Sequence, residues 1–316
     1  MSSVRRSRST RRTASPAGNS VSGPQAPIRP NGSTHLVGVI GWPVAHSLSP
    51  AIHNAAFAAL ELDWIYVPMP VEPGRVPEAV AGLRALGAVG ANVTMPHKTE
   101  VASLVDELSE DAERLRAVNT VVVEPGSTMG HNTDAPGFDR FVRLDVGFEP
   151  ADRRAILYGA GGAARACALA LARGGLAELT VVLREPSRAE ALLATLEGLD
   201  TVVAVVAFEE ASSVQADLVV NATPLGAHGE VLPLPGLSAG TVAIDLLYLP
   251  TTTPMQVAVR EAGGAAFGGL GLLLHQAALA FEMWTGQPAP LGVMSAAALA
   301  ALADRRDETG SDGPRP

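Results

Sequence analysis

The chain has 316 residues, a length that favours two domains over one. Hydrophobic residues make up 47% and charged residues 17%, a balance typical of globular rather than disordered proteins. The formal net charge is −9, and residues 1–34 hold six arginines and no acid, so the rest of the chain has 17 basic against 32 acidic residues. An acidic body argues against nucleic acid as the main partner, and no apolar run approaches the roughly 18–20 residues of a membrane span.

Residues 1–34 are predicted to be a disordered extension. They are rich in Arg, Ser and Thr and lack the apolar core of a secretory signal. They resemble a transit peptide in composition, but they hold too few apolar residues to form an amphipathic helix. A mis-assigned start codon would also account for this segment.

Folded structure is predicted to begin near His35 with the buried strand LVGVI. Ser49 is predicted to cap the following helix, with Pro50 at its first position. Up to about residue 133 the pattern alternates helical stretches with strand-like runs. These runs are WIYVPM, GANVT and AVNTVVV, and Pro125-Gly126-Ser127 marks a hairpin turn.

From Arg153 onward the pattern becomes a regular alternation of strands and helices. The predicted strands are RAILY, ELTVVL, VVAVVA, DLVVNA and TVAIDLL, and helices are expected over 163–173 and 187–195. Continuous apolar runs of this kind are typical of a parallel sheet covered on both faces, so the fold class is α/β. Two further helices are predicted over 272–285 and 291–303, before a polar tail, 305–316, that is expected to fray.

A glycine-rich loop between the first strand and helix of this second half predicts a dinucleotide site. Gly159 permits the tight turn, Gly161 lets the backbone approach a pyrophosphate, and Ala164 allows close packing of helix on strand. The free N–H groups at the start of the helix would then bind phosphate. A packing turn with no ligand is the alternative.

The residues after the next strand, LREPSR, are expected to select the cofactor's ribose. Arg184 and Arg188 suit a 2′-phosphate, whereas Glu185 suits a free 2′-hydroxyl. The two arginines favour NADP (NADPH when reduced) over NAD. Either arginine alone is also consistent with a solvated charge at a helix start.

Four polar motifs before residue 135 suggest a second site. They offer Ser47 and Ser49 before a helix, Asn92 and Thr94 on one face of a strand end, and Lys98 just after it. AVNT adds Asn119, and HNTDAPGF adds Asn132 and Asp134. Taken singly, each residue also fits a helix cap, a turn or a surface charge.

Together these motifs resemble the shikimate dehydrogenase family. The matching segments occur in family order over about residues 36–290: HSLSPAIHN, GANVTMPHK, AVNT, HNTDAPGF, GAGGAAR, NATPLG, DLLY and GLGLLLHQAALAFEMWTG. The resemblance implies a substrate-binding domain of residues 35–133 plus 270–304 and a Rossmann dinucleotide-binding domain of residues 134–269. It also implies reversible NADPH-dependent reduction of 3-dehydroshikimate to shikimate on the route to chorismate and aromatic amino acids.

The resemblance also assigns roles to residues. The catalytic pair falls on Lys98 and Asp134. The substrate-binding positions fall on Ser47, Ser49, Asn92, Thr94, Asn119, Tyr248 and Gln276. The cofactor-binding positions fall on Gly159, Ala160, Gly161, Gly162, Ala163, Arg184, Arg188, Thr223, Leu246 and Gly269, and Glu110 sits where the family often has an acid near the nicotinamide. No metal is expected, because the cofactor carries the hydride chemistry and the sequence has no Cys/His cluster.

Three departures from the family pattern leave alternatives open. The chain has Leu183-Arg184-Glu185 where Asn-Arg-Thr is common, Gly268-Gly269 where Asp-Gly is common, and the extension of residues 1–34 is unusual. A quinate or aminoshikimate dehydrogenase using NAD is the nearest alternative. A non-catalytic ligand-binding relative and a folate-linked dehydrogenase are more distant ones. A monomer or homodimer is expected, and the single Cys167 suits the reducing cytoplasm.

Overall fold

The computed structural model describes residues 30–310, and the side chains of residues 30–305. Residues 1–29, which make up most of the predicted extension, and residues 311–316 of the predicted tail lie outside the described residues. The described chain forms two six-stranded sheets, each with its own helices, and this agrees with the predicted α/β class.

The first sheet is mixed, with strand order β2-β1-β3-β5-β6-β4. Its strands are β1 (His35–Gly41), β2 (Trp64–Pro70), β3 (Gly90–Val93), β4 (Glu107–Leu108), β5 (Thr120–Glu124) and β6 (Ser127–His131). Strand β1 pairs in parallel with β2 and β3, whereas β5 runs antiparallel to β3 and β6. The predicted hairpin therefore joins β5 to β6.

Four helices accompany this sheet: α1 (Ser49–Ala59), α2 (Val76–Ala85), α3 (Lys98–Ala102) and α4 (Glu110–Leu115). The start of α1 differs from the predicted cap. Leu48 occupies the cap position and Ser49 is already helical, while the Ser47 hydroxyl oxygen accepts the Ser49 N–H at 3.2 Å. The hydroxyl two residues earlier thus performs the local capping, and the Ser49 hydroxyl does not cap the helix.

The second sheet is parallel throughout, with strand order β12-β11-β10-β7-β8-β9. Its strands are β7 (Arg154–Tyr158), β8 (Glu178–Leu183), β9 (Val202–Ala207), β10 (Leu218–Asn221), β11 (Val242–Asp245) and β12 (Ala265–Gly268). Helices α5 (Asp134–Leu144), α6 (Gly162–Arg173), α7 (Glu190–Leu196) and α8 (Pro254–Glu261) accompany it. Four of the predicted apolar runs form the inner strands β7, β8, β10 and β11, which are mostly buried, as their composition predicted. The fifth run, VVAVVA, forms β9 at the edge of the sheet, where Val202 is 66% exposed, so the prediction that it is covered on both faces was wrong.

The last two helices, α9 (Leu270–Thr285) and α10 (Leu291–Gly310), return to the first sheet. Phe281 and Trp284 of α9 and Met294 of α10 are buried in one apolar cluster with Ile52 of α1. The Trp284 indole N–H also donates to the Val121 carbonyl at 3.0 Å. The chain therefore crosses from one sheet to the other and back, which places a cleft between them.

Two predicted boundaries differ from the structure. Residues 31–34 fall in the predicted extension, but they form a turn in which Ser33 and Thr34 donate hydrogen bonds to Asp63 at 3.0 and 2.7 Å. Helix α10 continues to Gly310, so residues 305–310 are helical where fraying was predicted. Neither segment has an apolar pattern. Hydrogen bonds from polar side chains hold residues 31–34, and continuation of the α10 helix includes residues 305–310.

Candidate active site

A cavity of about 270 Å³ lies in the cleft between the two sheets. Its first wall comes from the loop between β1 and α1, the end of β3 and the starts of α3 and α5. Its second wall comes from the start of α6, the loop after β11 and helix α9. The polar lining side chains are His46, Ser47, Ser49, Asn92, Thr94, Lys98, Asn119, Asp134, Tyr248 and Gln276.

Lys98 and Asp134 form an ion pair in this cavity. Each is the first residue of its helix, α3 and α5 respectively, and they are 36 positions apart in sequence. The Lys98 ammonium donates to Asp134 Oδ2 at 2.6 Å, and their side chains are 26% and 14% exposed. The exposure leaves the ammonium accessible from the cavity. An ionised donor and acceptor at this distance form a strong, directional hydrogen bond.

Buried amides hold Asp134 in place. Asn119 Nδ2 donates to Asp134 Oδ1 at 2.7 Å, so both carboxylate oxygens are bound within the protein. The Thr133 N–H fixes the Asn119 orientation by donating to its Oδ1 at 2.8 Å. Because Asn119 is only 2% exposed, its amide has little freedom to rotate. The carboxylate orientation is thus set before any ligand binds.

A second buried amide continues this network. Asn92 Nδ2 donates to the Asn119 carbonyl at 3.2 Å and to Thr120 Oγ1 at 3.1 Å, while its Oδ1 accepts from the Tyr66 hydroxyl at 2.8 Å. Burial raises the pKa of Tyr66 well above its ordinary value, so the phenol stays protonated and remains a donor. Asn92 therefore supports the site from behind as well as lining it.

A larger cavity of about 540 Å³ lies beside the glycine-rich loop. Gly159 has φ +106°, and a Cβ there would meet the Ala222 carbonyl oxygen and Thr223 Cγ2 at 3.1 Å. A Cβ at Gly161 would meet nothing within 4 Å. The turn thus requires glycine at its first position, and the open space beside Gly161 suits a phosphate at the N-terminus of α6.

The far end of this cavity carries two arginines and one acid. The Arg184 guanidinium lies over the Phe208 ring, 5.8 Å from its centroid. Arg188 Nε donates to Glu185 Oε2 at 3.0 Å, and both side chains are more than half exposed. The loop, the helix start and these arginines fit an anionic dinucleotide.

Comparison with known proteins identifies the family. Three family models match: the shikimate dehydrogenase substrate binding domain over residues 39–121, the shikimate 5′-dehydrogenase C-terminal domain over residues 269–299, and NADP oxidoreductase coenzyme F420-dependent over residues 153–248. A shikimate dehydrogenase (NADP(+)) from Geobacter metallireducens is 42% identical over 281 residues, which cover 86% of this chain and 98% of that protein. The chain belongs to the shikimate dehydrogenase family.

Solved structures of relatives share its architecture. A shikimate 5-dehydrogenase from Thermus thermophilus, in complex with NADP(H) and shikimate, is 36% identical with a TM-score of 0.76, and the match covers 85% of this chain and 100% of that one. A quinate dehydrogenase from Corynebacterium glutamicum, in complex with NAD, is 32% identical with a TM-score of 0.77, covering 84% and 99%. The same fold is thus found in relatives named for shikimate and in one named for quinate.

The structure gathers the residues that the family resemblance singled out. Both predicted catalytic residues and all seven predicted substrate-binding residues line the smaller cavity. Of the predicted cofactor residues, Gly159, Ala160, Gly161, Arg184, Arg188 and Thr223 line the larger cavity, while Ala163, Leu246 and Gly269 line the smaller one. Gly162 is the first residue of α6, between the two.

Glu110 is the exception among the predicted residues. It lines neither cavity, its side chain is 83% exposed, and its carboxylate accepts from Arg173 at 2.7 Å. Helix α4 contacts α6 in this region, and Glu110 serves that contact together with Asp111. Its first-turn position on α4 directs the carboxylate to this surface ion pair, and its expected place near the nicotinamide stays a prediction.

Sequence reasoning missed several residues of these sites. Phe208 lies under Arg184, yet it follows β9 and belongs to no glycine or phosphate motif. Tyr66 lies in an apolar strand, where its hydroxyl was the available signal for a buried hydrogen bond.

Among residues 30–305, no group of three or more His, Cys, Asp and Glu could hold a metal ion. None of the described helices is both long and apolar enough to cross a membrane.

Proposed function

We propose that the protein catalyses the reversible NADPH-dependent reduction of 3-dehydroshikimate to shikimate, a step toward chorismate and the aromatic amino acids. The observation that carries this proposal is the 2.6 Å Lys98–Asp134 pair in a cavity that also contacts the start of α6. A ring ketone bound in this cavity would lie beside the Lys98 proton donor, and the residues of the glycine-rich loop would hold the dinucleotide that supplies the hydride. A cavity of about 270 Å³ suits a small ring acid.

In this reaction the cofactor supplies a hydride to the ketone carbon. The carbonyl oxygen gains negative charge as the hydride arrives, and Lys98 donates a proton from its ammonium to that oxygen. The product is a secondary alcohol and the lysine becomes a neutral amine. In reverse, the neutral amine removes the hydroxyl proton as the hydride leaves. General acid–base catalysis of this kind contributes about 10²–10⁴ in rate.

Asp134 has a proposed positioning task. One of its oxygens receives the Lys98 ammonium and the other receives Asn119, so the ammonium is aimed at one point in the cavity. A lone pair on either oxygen remains available to accept from a ring hydroxyl of the substrate.

The opposite end of the cavity suits the substrate carboxylate. The Ser47 and Ser49 hydroxyls lie at the N-terminus of α1, where helical N–H groups and the helix dipole favour an anion. Thr94, Tyr248 and Gln276 line the remaining wall and are proposed to contact the ring. This arrangement would hold the ring between an anion site and a proton donor.

The matched shikimate dehydrogenases from Geobacter metallireducens and Thermus thermophilus are named with NADP, and the larger cavity supports the same choice in this chain. Arg184 and Arg188 both line the end of the cavity where the adenosine ribose would lie. We further propose a monomer or homodimer in the cytoplasm, where the single buried Cys167 stays reduced.

Initial rates for shikimate and quinate, each with NADP and NAD, test the proposal. We expect shikimate with NADP to give the highest kcat/KM. A higher kcat/KM for quinate with NAD would support the quinate dehydrogenase alternative. No oxidation of either acid, with a folded protein that still binds NADP, would contradict a catalytic role.

A further inference from the structure

The end of helix α10 lies against the loop that carries Ser47. Met294, Ala298 and Leu302 are buried at four-residue spacing in the apolar cluster shared with α1. Arg305 follows three residues after Leu302, so it continues the same face of the helix beyond the apolar contact. There its side chain reaches the loop that precedes α1.

Arg305 binds the backbone of this loop with two hydrogen bonds. Its Nη1 donates to the His46 carbonyl at 2.7 Å and its Nη2 donates to the Ser47 carbonyl at 3.1 Å. Within residues 30–305, no other donor reaches either carbonyl. The planar guanidinium fork matches two neighbouring carbonyl oxygens, and the flexible, single-point ammonium of lysine does not.

Other restraints also act on this loop: the Trp42 N–H donates to the Met95 carbonyl at 3.1 Å, and the Leu48 side chain is buried in the apolar cluster that includes residues of α9 and α10. The Ser47 N–H donates to the Val44 carbonyl at 2.9 Å, and the Ser47 hydroxyl accepts the Ser49 N–H at 3.2 Å. These bonds close the loop locally, but they do not tie it to another helix. Arg305 does so from a position 258 residues away in sequence.

We propose that Arg305 is a positioning residue for substrate recognition, which fixes the Ser47 and Ser49 hydroxyls for the substrate carboxylate. It acts through the loop backbone and does not line the cavity. The proposal rests on the proposed function, because it assumes that these hydroxyls bind the carboxylate. It also gives α10 a task beyond covering the apolar face of α1.

The test compares Arg305→Gln and Arg305→Lys with the full-length wild type. Arg305→Gln should raise the KM for shikimate by roughly tenfold, because small displacements of positioning groups are costly. The KM for NADP, the kcat and the melting temperature should stay close to wild type. Arg305→Lys can reach one carbonyl at a time and should recover part of the loss. Arg84→Gln is the matched control, since Arg84 also donates to a backbone carbonyl, that of Gly126 at 3.0 Å, far from the cavity.

Inhibition by shikimate methyl ester separates this role from a general loss of structure. Its inhibition constant should change much less than the KM for shikimate, because the ester lacks the carboxylate that the hydroxyls bind. Equal weakening of acid and ester, or an unchanged KM for shikimate in Arg305→Gln, would overturn the proposal. An inactive wild type would instead count against the proposed function, and shikimate binding measured by calorimetry on the same variants would still decide the role of Arg305.

Discussion

Lys98 meets Asp134 at 2.6 Å, and it is the single lysine in a sequence with 22 arginines. A guanidinium could also pair with the carboxylate, and a bidentate pair would be at least as strong. An arginine cannot release a proton near neutral pH, because its guanidinium stays protonated far above that range. The use of an amine at this one position therefore fits proton transfer better than it fits a purely structural ion pair.

The first prediction follows from this contrast. Lys98→Arg should keep the positive charge and the contact with Asp134 but lower kcat by about 10²–10⁴, as Lys98→Ala should. Shikimate affinity, measured by calorimetry, should stay within a few-fold of wild type in Lys98→Arg. A kcat near wild type in the arginine variant would mean that Lys98 supplies only charge. The native fold of each variant is checked by its melting temperature.

The second prediction concerns the coupling of the pair. Asp134→Asn should lower kcat and weaken shikimate binding, because the carboxylate both aims the ammonium and is proposed to accept from a ring hydroxyl. The double variant with Lys98→Ala should lose little more kcat than Lys98→Ala alone, since the pair acts as a unit. Asp139→Asn, which affects an ion pair with Arg143 on the same helix, is the control. Multiplicative losses in the double variant would show that the two residues act independently.

The elements best predicted from sequence were those with long, regular apolar patterns. The runs RAILY and ELTVVL became β7 and β8 with their predicted bounds, because both faces of a central parallel strand must be apolar. Strands β4 and β12 were not predicted. Strand β4 has two residues, too few for a period to be detected. Strand β12 has the sequence AAFG, which lacks the β-branched residues that favour strands, so sheet pairing rather than composition makes it a strand.

The site shows the same division between local and long-range information. The glycine turn at Gly159 could be predicted, since its chemistry lies within one short segment. Two other contacts could not be predicted, because each depends on how distant elements pack. They are the contact of Phe208 with Arg184 and the contact of Arg305 with the loop that carries Ser47. The contact of Glu110 with Arg173 could not be predicted for the same reason, since it joins two helices that are distant in sequence.

The third prediction concerns the choice of cofactor. Arg184→Ala should raise the KM for NADP by about 10–100-fold and leave the KM for NAD nearly unchanged, because charged hydrogen bonds to phosphate are worth about 1.5–3 kcal/mol. Phe208→Ala should have a smaller effect in the same direction, since the ring supports the guanidinium without touching a phosphate. Initial rates over a range of each cofactor measure both effects. An equal rise in both KM values would place Arg184 away from the 2′-phosphate.

Glu185 provides the complementary test of the same site. It pairs with Arg188 at 3.0 Å, and an exposed pair of this kind contributes only about 0–1 kcal/mol. Glu185→Thr should therefore release Arg188 at little cost in stability and improve the kcat/KM for NADP. Glu190→Thr serves as a control for removal of an acid nearby on α7. A fall in NADP efficiency in Glu185→Thr would mean that Glu185 orients Arg188 for the phosphate.

The last prediction concerns His53, which is fully buried on α1, one helical turn after Ser49. Its ring stacks on Tyr66 at 4.4 Å with an interplanar angle of 1°, and neither ring nitrogen has a hydrogen-bond partner among the described residues. Burial lowers the pKa of His53 from 6.5 to about 3. The folded protein therefore keeps this imidazole neutral at pH values where the unfolded chain would protonate it.

The direction of the stability change follows from this difference in proton binding. Well above pH 6.5 the ring is neutral in both the folded and the unfolded state, so His53 adds no pH dependence to the free energy of unfolding. Below pH 6.5 the unfolded state binds one more proton, so the free energy of unfolding falls until about pH 3. At about 1.4 kcal/mol per pH unit, His53 should lower the free energy of unfolding by about 2 kcal/mol between pH 6.5 and 5.

His53→Phe keeps the aromatic stack and should remove this loss, so its free energy of unfolding, relative to wild type, should rise by that amount as the pH falls. Urea unfolding of both proteins, measured from pH 7.5 to 5, gives this difference. Parallel curves for wild type and His53→Phe would mean that the buried ring takes up a proton in the folded state.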